Sequence, residues 1–381
     1  MDAWDTPERR LLRQTVRRFS ETELVPSLPG WEEQGAIPVS VHAAAAEAGI
    51  LGIGFPEEAG GSGGSAVDAF IVAEEIILSG GSSGLVAALL THGIGLPHLV
   101  EAGDPDLIDR VARPVLAGSR IACLAVTEPE GGSDVAGLRT RAVRDGDAFV
   151  VSGSKLYITS GTRADFITTA VRTGEPGAGG ISLLVIDRDS PGVSVSAPLR
   201  KMGWLCSDTA EIGFDAVRVP VGNLIGSEND GFRAIMGQFA AERLSIAVQA
   251  YATAQRCLDL TIAWVRQRET FGRPLVSRQV VQHRIAEMAR ETDVARTYTR
   301  AVVDGWQRGE DVLMRVAMAK NTAVQACDRV VDAAVQLHGG MGYMRESEVE
   351  RHYRDSRILG IGGGTTEIMT EITARLLLPR Q

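Results

Sequence analysis

Between residues 121 and 219 the chain changes period, and that change limits its possible folds more than any other feature. Seven short stretches (121–126, 140–143, 148–151, 166–171, 181–186, 193–195 and 210–219) are rich in β-branched residues and separated by Gly, Asp or Pro turns. Asp145-Gly146-Asp147 is a hairpin signal between two of them. Many short strands with tight turns predict a small sandwich or barrel. Both flanks read as helix. On the N-terminal side Thr6-Pro7-Glu8 starts a helix carrying Leu11, Leu12, Val16 and Phe19 at helical spacing. Helical composition returns over 43–48, and a Gly/Ser loop at 60–65 leads into an apolar helix over 66–78. A further helix is expected over 85–102, and Asp104-Pro105 caps one that ends near Gly118. After Gly231 helical patterns run almost to the end, with breaks near 271–274, 305–309 and 338–342. At 381 residues the chain exceeds one ordinary core. The fold class is therefore α+β, divided into a helical domain (1–119), a β domain (120–229) and a second helical domain (230–381).

The charge balance narrows the function. Thirty-nine Lys and Arg against 48 Asp and Glu leave a formal charge of -9, which argues against a nucleic-acid partner held by its backbone. No apolar run has the length of a membrane span, and Met1-Asp2-Ala3-Trp4-Asp5 lacks the basic and apolar segments of an export signal. Cys123, Cys206, Cys257 and Cys327 are scattered, which fits buried thiols in a reducing cytoplasm. The six histidines form no HExxH or other close ligand pair, so no metal site is expected.

Three stretches carry candidate chemistry. Glu242 lies in helical line with Ile235, Phe239 and Ile246, so its carboxylate rides on an apolar face. A carboxylate there has a raised pKa and can take a proton near neutrality, unless it is paired with Arg243. The helix alone favours the ion pair. Gly80-Gly81-Ser82-Ser83-Gly84 fits the GxSxG pattern of a hydrolase nucleophile, but that motif needs a preceding strand and the residues before it read as helix. No GxGxxG follows a strand. The loop Thr127-Glu128-Pro129-Glu130-Gly131-Gly132-Ser133-Asp134 combines hydroxyls, small residues and backbone N–H groups, which suits a ring edge and a phosphate or, equally, a structural turn.

That octapeptide, together with Lys155-Leu156-Tyr157-Ile158-Thr159-Ser160-Gly161, resembles the flavin loops of acyl-CoA dehydrogenases. The resemblance continues through Lys201-Met202-Gly203-Trp204-Leu205-Cys206-Ser207-Asp208-Thr209 and Arg268-Glu269-Thr270-Phe271-Gly272-Arg273-Pro274. It reaches Gln336-Leu337-His338-Gly339-Gly340-Met341-Gly342-Tyr343, Arg354-Asp355 and Gly364-Thr365-Thr366-Glu367-Ile368. These motifs stand in family order over essentially the whole chain, which makes coincidence a poor explanation. The resemblance implies a C-terminal four-helix bundle, FAD bound non-covalently between the β domain and that bundle, and a homotetramer (a dimer of dimers) whose subunits complete one another's cofactor sites.

Carried over residue by residue, Leu124, Val126, Thr127, Gly132 and Ser133 border the flavin and pyrophosphate, and Tyr157, Ile158 and Thr159 line the isoalloxazine ring. Arg268 and Thr270, with Gln336, Leu337, Gly339 and Gly340, match positions that hold the ADP half, typically across a subunit interface, and Phe271 and Gln279 match further cofactor positions. Arg268 suits pyrophosphate because its planar fork donates two hydrogen bonds. Thr365 and Glu367 match cofactor contacts of the last helix, although Glu367 reads equally well as an exposed first-turn acid. Asp355, beside Arg354, reads as structural. The family reaction desaturates an acyl-CoA thioester: a carboxylate takes the α-proton, hydride leaves the β-carbon for the flavin, and electrons pass to an electron-transferring flavoprotein.

In the commonest family pattern the base stands immediately before the Gly-Thr pair, a position occupied here by Gly363. The isovaleryl and long-chain branches instead carry a glutamate directly before an arginine on the long helix, which Glu242-Arg243 matches. Glu242 is therefore the expected base, with Ser133, Ala240, Arg243, Gly363 and Gly364 bordering the substrate and the Gly363 N–H facing the thioester carbonyl. Ala240 replaces an acid, and Ser160 an Asn, found in many relatives, which leaves acyl-CoA and acyl-carrier-protein thioesters both open as substrates. The alternatives are an acyl-CoA oxidase or other flavin chemistry on the same fold, a non-catalytic flavin-binding partner subunit and, more remotely, a hydrolase built on Ser82.

Overall fold

The computed structural model describes residues 3–378. Its first part is helical: α1 (Pro7–Phe19), α2 (Leu28–Gln34), α3 (Val39–Glu47), α4 (Ala66–Leu78), α5 (Ser83–Leu89), α6 (His92–Gly95), α7 (Pro97–Ala102), α8 (Pro105–Leu107) and α9 (Arg113–Leu116). The expected starts hold. The Thr6 side chain accepts from Arg9 N–H ahead of Pro7, and Asp104 accepts from the N–H groups of Asp106 and Leu107. The single helix expected over 85–102 is in fact three short ones, and Pro97, which has no N–H to continue the ladder, separates the last two.

The middle of the chain forms an eight-stranded sheet: β1 (Ala122–Ala125), β2 (Arg141–Asp145), β3 (Ala148–Thr159), β4 (Phe166–Arg172), β5 (Ile181–Asp187), β6 (Val193–Val195), β7 (Thr209–Pro220) and β8 (Leu224–Ile225). The hydrogen-bonded order is β6-β7-β3-β2-β4-β5-β8, with β1 parallel to β4. Gly146, at φ +63°, turns the β2–β3 hairpin as its sequence requires. Period-two alternation divides the sheet between two cores. Leu184 and Ile186 of β5 join Ile167, Phe149 and Ile212 on one face, while Leu183 and Val185 join Leu99, Val111 and Leu116 under the N-terminal helices on the other.

The C-terminal part contains α10 (Gly231–Gln267), a β9–β10 hairpin (Glu269–Thr270 and Arg273–Pro274), α11 (Gln279–Gln307), α12 (Leu313–His338), α13 (Glu348–Ser356) and α14 (Thr366–Leu377). The helices end where the sequence breaks were expected. Helix α10 crosses two cores: Ile235 and Phe239 pack with the sheet and its helical cover, whereas Leu244, Ile246 and Ala247 pack with α4, α11 and α12. Glu242 lies at the seam between them and is half-buried. The N-terminal helices are tied to this bundle by buried charges. Glu74 of α4 pairs with Arg13 of α1 and Arg300 of α11, and Glu32 of α2 pairs with Arg351 of α13. Among the described residues no single helix is long and apolar enough to cross a membrane.

Candidate active site

Gly363, at φ +63°, and Gly364, at φ +93°, bring the chain ahead of α14 directly against α10. A Cβ on Gly363 would stand 3.4 Å from Glu242 Oε1 and 2.5 Å from Ile246 Cδ1. A Cβ at 363 would therefore overlap Ile246 and lie against the Glu242 carboxylate, so the glycine keeps the space beside that carboxylate open. Glu242 is half-buried, and its carboxylate accepts no hydrogen bond and joins no ion pair among the described residues. Burial pushes its pKa above the ordinary carboxylate value, against the opposing pull of Arg243 and Lys320. The ion pair with Arg243 does not form. Arg243 is buried, lies over the Phe239 ring at 5.2 Å, and donates through Nε to the Gly363 carbonyl at 3.2 Å. Ala240, one turn earlier, is half-buried.

The loop at 127–134 is held from beneath. Lys155, inside the sheet, donates to Glu128 at 2.8 Å and to the Val126 carbonyl at 3.0 Å, and Glu128 also accepts from the N–H groups of Arg139 (2.6 Å) and Thr140 (2.8 Å). Burial drives the Lys155 pKa down to about 8. Burial also raises that of Glu128, but Lys155 and the two N–H groups outweigh it and hold the carboxylate below its usual range. With the loop base fixed, the N–H groups of Gly132 and Ser133 donate to nothing among the described residues, and both residues are exposed. Leu124 and Val126 are half-buried, and Val126 packs in the same cluster as Phe239, one turn before Glu242.

The Thr127 carbonyl accepts from Leu156 N–H at 2.9 Å, which sets the second loop beside the first. There β3 bulges between Lys155 and Ile158, and Tyr157 stands 66% exposed at φ +62°. A bulky residue held in the left-handed region beside a bulge is a strain that persists where a site uses it. Ile158 points into the sheet core, leaving only its backbone for a ligand, while Thr159 is half-buried. The free donors, the exposed ring and the unpaired carboxylate fit a flavin dinucleotide.

The residues matched to the ADP half gather elsewhere. Arg268 ends α10 and is exposed. Arg278 grips Thr270 through its carbonyl (2.7 Å) and hydroxyl (3.1 Å) and lies over Phe271, which is 96% exposed at the hairpin tip. Gln279 is exposed at the start of α11. Trp264, in the last turn of α10 ahead of this hairpin, ties that helix to the end of α12, donating to the Leu337 carbonyl at 3.2 Å and stacking on His338. Gln336, Gly339 and Gly340 are exposed beside it. At the other end Thr365 caps α14 by accepting from Ile368 N–H, and Glu367 is an exposed acid in that helix's first turn.

Ser82 is a buried helix cap that accepts from Leu85 N–H, with α4 rather than a strand before it, so the hydrolase context is absent. Asp355 is structural: its Oδ1 accepts from Trp204 N–H at 2.6 Å, which anchors the 201–209 segment to α13. The sequence reading missed Lys320. Its only signal was a lone lysine among Val316, Ala317, Ala319, Ala323 and Val324 on the buried face of α12.

Comparison with known proteins settles the family. Sequence models of the N-terminal, middle and C-terminal domains of acyl-CoA dehydrogenase match residues 6–119, 123–217 and 229–378. This chain belongs to the acyl-CoA dehydrogenase family. Its fold is the three-domain fold of that family, and it is an oxidoreductase acting on acyl-CoA. The mitochondrial long-chain specific acyl-CoA dehydrogenase of Sus scrofa is 34% identical over 97% of this chain and 86% of its own. A solved structure of a probable acyl CoA dehydrogenase from Mycobacterium abscessus is 64% identical, covers 98% of this chain and 100% of its own, and has a TM-score of 0.98. A Mycobacterium smegmatis glutaryl-CoA dehydrogenase solved in complex with FADH2 is 26% identical, covers 100% of this chain and 97% of its own, and has a TM-score of 0.93.

Proposed function

We propose that this acyl-CoA dehydrogenase desaturates an acyl-CoA thioester between its α and β carbons, with Glu242 as the base and FAD as the cofactor. The observation that carries the reading is the unpaired Glu242 carboxylate facing Gly363. A desolvated carboxylate with a raised pKa is basic enough to remove a proton that a polarised carbonyl has acidified. Gly363 N–H donates to the thioester carbonyl oxygen, and the Arg243 guanidinium fixes the next peptide from behind. FAD, when bound, accepts the hydride that leaves the β-carbon. The substrate thus loses a proton to Glu242 and two electrons with one hydrogen to the cofactor, and electron-transferring flavoprotein is the onward acceptor.

Thr127, Gly132, Ser133 and Tyr157 to Thr159 hold the flavin end in this reading, with Thr365 and Glu367 beside them. Arg268 lies 26 residues beyond Glu242 on α10, about 39 Å along the axis, which exceeds the reach of one flavin dinucleotide. A second copy of the chain therefore supplies Arg268, Thr270, Phe271, Gln279 and Gln336 to Gly340 to each ADP half, which supports paired subunits and, with the resemblance, a dimer of dimers. The same reading divides the chain at 119/120 and 229/230. Four free buried cysteines support the cytoplasm as its compartment.

The test is anaerobic addition of straight, branched and terpenoid acyl-CoAs to the holoenzyme. One class is expected to bleach the flavin rapidly, and Glu242→Gln is expected to keep its flavin and stay oxidised. Bleaching by a carrier-protein thioester alone would move the substrate away from CoA. Peroxide release during aerobic turnover would make the protein an oxidase. A flavin that no thioester reduces would leave a non-catalytic subunit.

A further inference from the structure

Lys320 is 1% exposed and sits on the otherwise apolar buried face of α12, among Val316, Ala317, Ala319, Ala323 and Val324. A buried ammonium costs several kcal/mol unless its protons find partners. Lys320 finds two. Its Nζ donates to the Gly362 carbonyl at 2.6 Å and to the Gly364 carbonyl. With Arg243 Nε on the Gly363 carbonyl, three consecutive carbonyls are held by two cations. The N–H groups of Gly363 and Gly364 donate to nothing among the described residues. Asn321 continues the grip, donating through Nδ2 to the Thr366 carbonyl at 3.0 Å.

A peptide unit is planar, and in its trans form the C=O and N–H point in opposite directions. The carbonyl of Gly362 and the N–H of Gly363 belong to one such unit, and no peptide in the described chain is cis. A cation on that carbonyl therefore aims the Gly363 N–H away from α12. It also draws electron density from the amide, which makes the N–H a stronger donor. We propose that Lys320 is a positioning residue for the reaction: by gripping the carbonyls of Gly362 and Gly364 it presents a polarised Gly363 N–H to the thioester carbonyl oxygen. The inference rests on the reading of the site given above. Glycine at 362, 363 and 364 leaves this stretch without side chains, so it has little stiffness of its own, and the two cations supply it.

The test uses the holoenzyme with a 3-thiaacyl-CoA, a substrate analogue whose α-deprotonated form gives a long-wavelength charge-transfer band with oxidised flavin. Lys320→Met removes charge and donor, and Lys320→Gln keeps a donor without the charge. Both variants are expected to retain flavin, to show a weaker band at saturating ligand, and to reduce flavin at least tenfold more slowly at saturating acyl-CoA with little change in KM. Glutamine should fall between methionine and lysine. A variant that holds flavin and gives an undiminished band and rate overturns the proposal. Loss of flavin from both variants also overturns it, because Lys320 is then a structural residue only. A wild-type protein that gives no band sinks the assignment of the reaction itself, a result distinct from either.

Discussion

Gly363→Ala tests the close approach on which the site depends. The backbone there has φ +63°, and a Cβ would land 2.5 Å from Ile246 Cδ1 and 3.4 Å from Glu242 Oε1. The left-handed conformation costs an alanine roughly 1–2 kcal/mol relative to glycine. Overpacking typically costs about 1–3 kcal/mol, and the lower end applies because Ile246 Cδ1 is the free end of a flexible side chain. The total is about 2–3 kcal/mol. For a unit of 150–250 residues this lowers the midpoint of the helical bundle in calorimetry by roughly 4–12 °C. Ile246→Val deletes the offending Cδ1, so when each alanine variant is compared with its own parent, Gly363→Ala in the Ile246→Val background should cost only the backbone part of the loss. Flavin reduction should slow as well, because the new methyl takes up space beside the carboxylate that the substrate must enter. An alanine variant as stable as the parent would refute the reasoning, and so would a loss that Ile246→Val leaves unchanged.

Two further outcomes follow from the site. Because Glu242 is raised above its unfolded value, the native state holds more protons than the unfolded one from about pH 4.5 up to the raised pKa, so this group lowers stability as pH rises through that window. Glu242→Gln should therefore raise the urea midpoint at pH 8, and the gain should vanish near pH 4. Arg268→Ala removes an exposed side chain that supports nothing in its own subunit, so the fold should persist while FAD binds roughly 10–100-fold more weakly by equilibrium dialysis, as expected for a charge-assisted contact.

Much of this molecule is legible without coordinates because its signals are local. Thr6-Pro7 and Asp104-Pro105 start helices by their own capping chemistry, and Asp145-Gly146-Asp147 closes its hairpin as that sequence demands. Where packing overrides periodicity the reading falls short. Strand β3 runs on to Thr159, beyond the expected 148–151, because Gly153 and the bulge at Tyr157 interrupt its alternation while β7 still pairs with both halves. The β9–β10 hairpin is too short to carry a periodic signal. Glu242 was legible as an acid on an apolar face, but its freedom from Arg243 was not, since the competing acceptor is a backbone carbonyl 120 residues away. Lys320 was hidden for the same reason: its partners are the carbonyls of glycines, which no side-chain pattern announces.

The most direct test of Glu242 as the base is anaerobic single-turnover reduction of the flavin with acyl-CoA carrying protium or deuterium at the α-carbon. The wild-type enzyme should bleach rapidly with a primary isotope effect. Glu242→Gln should hold its flavin and bleach about 10²–10⁴-fold more slowly, the range for losing a positioned general base. A glutamine variant that bleaches at the wild-type rate would contradict the account.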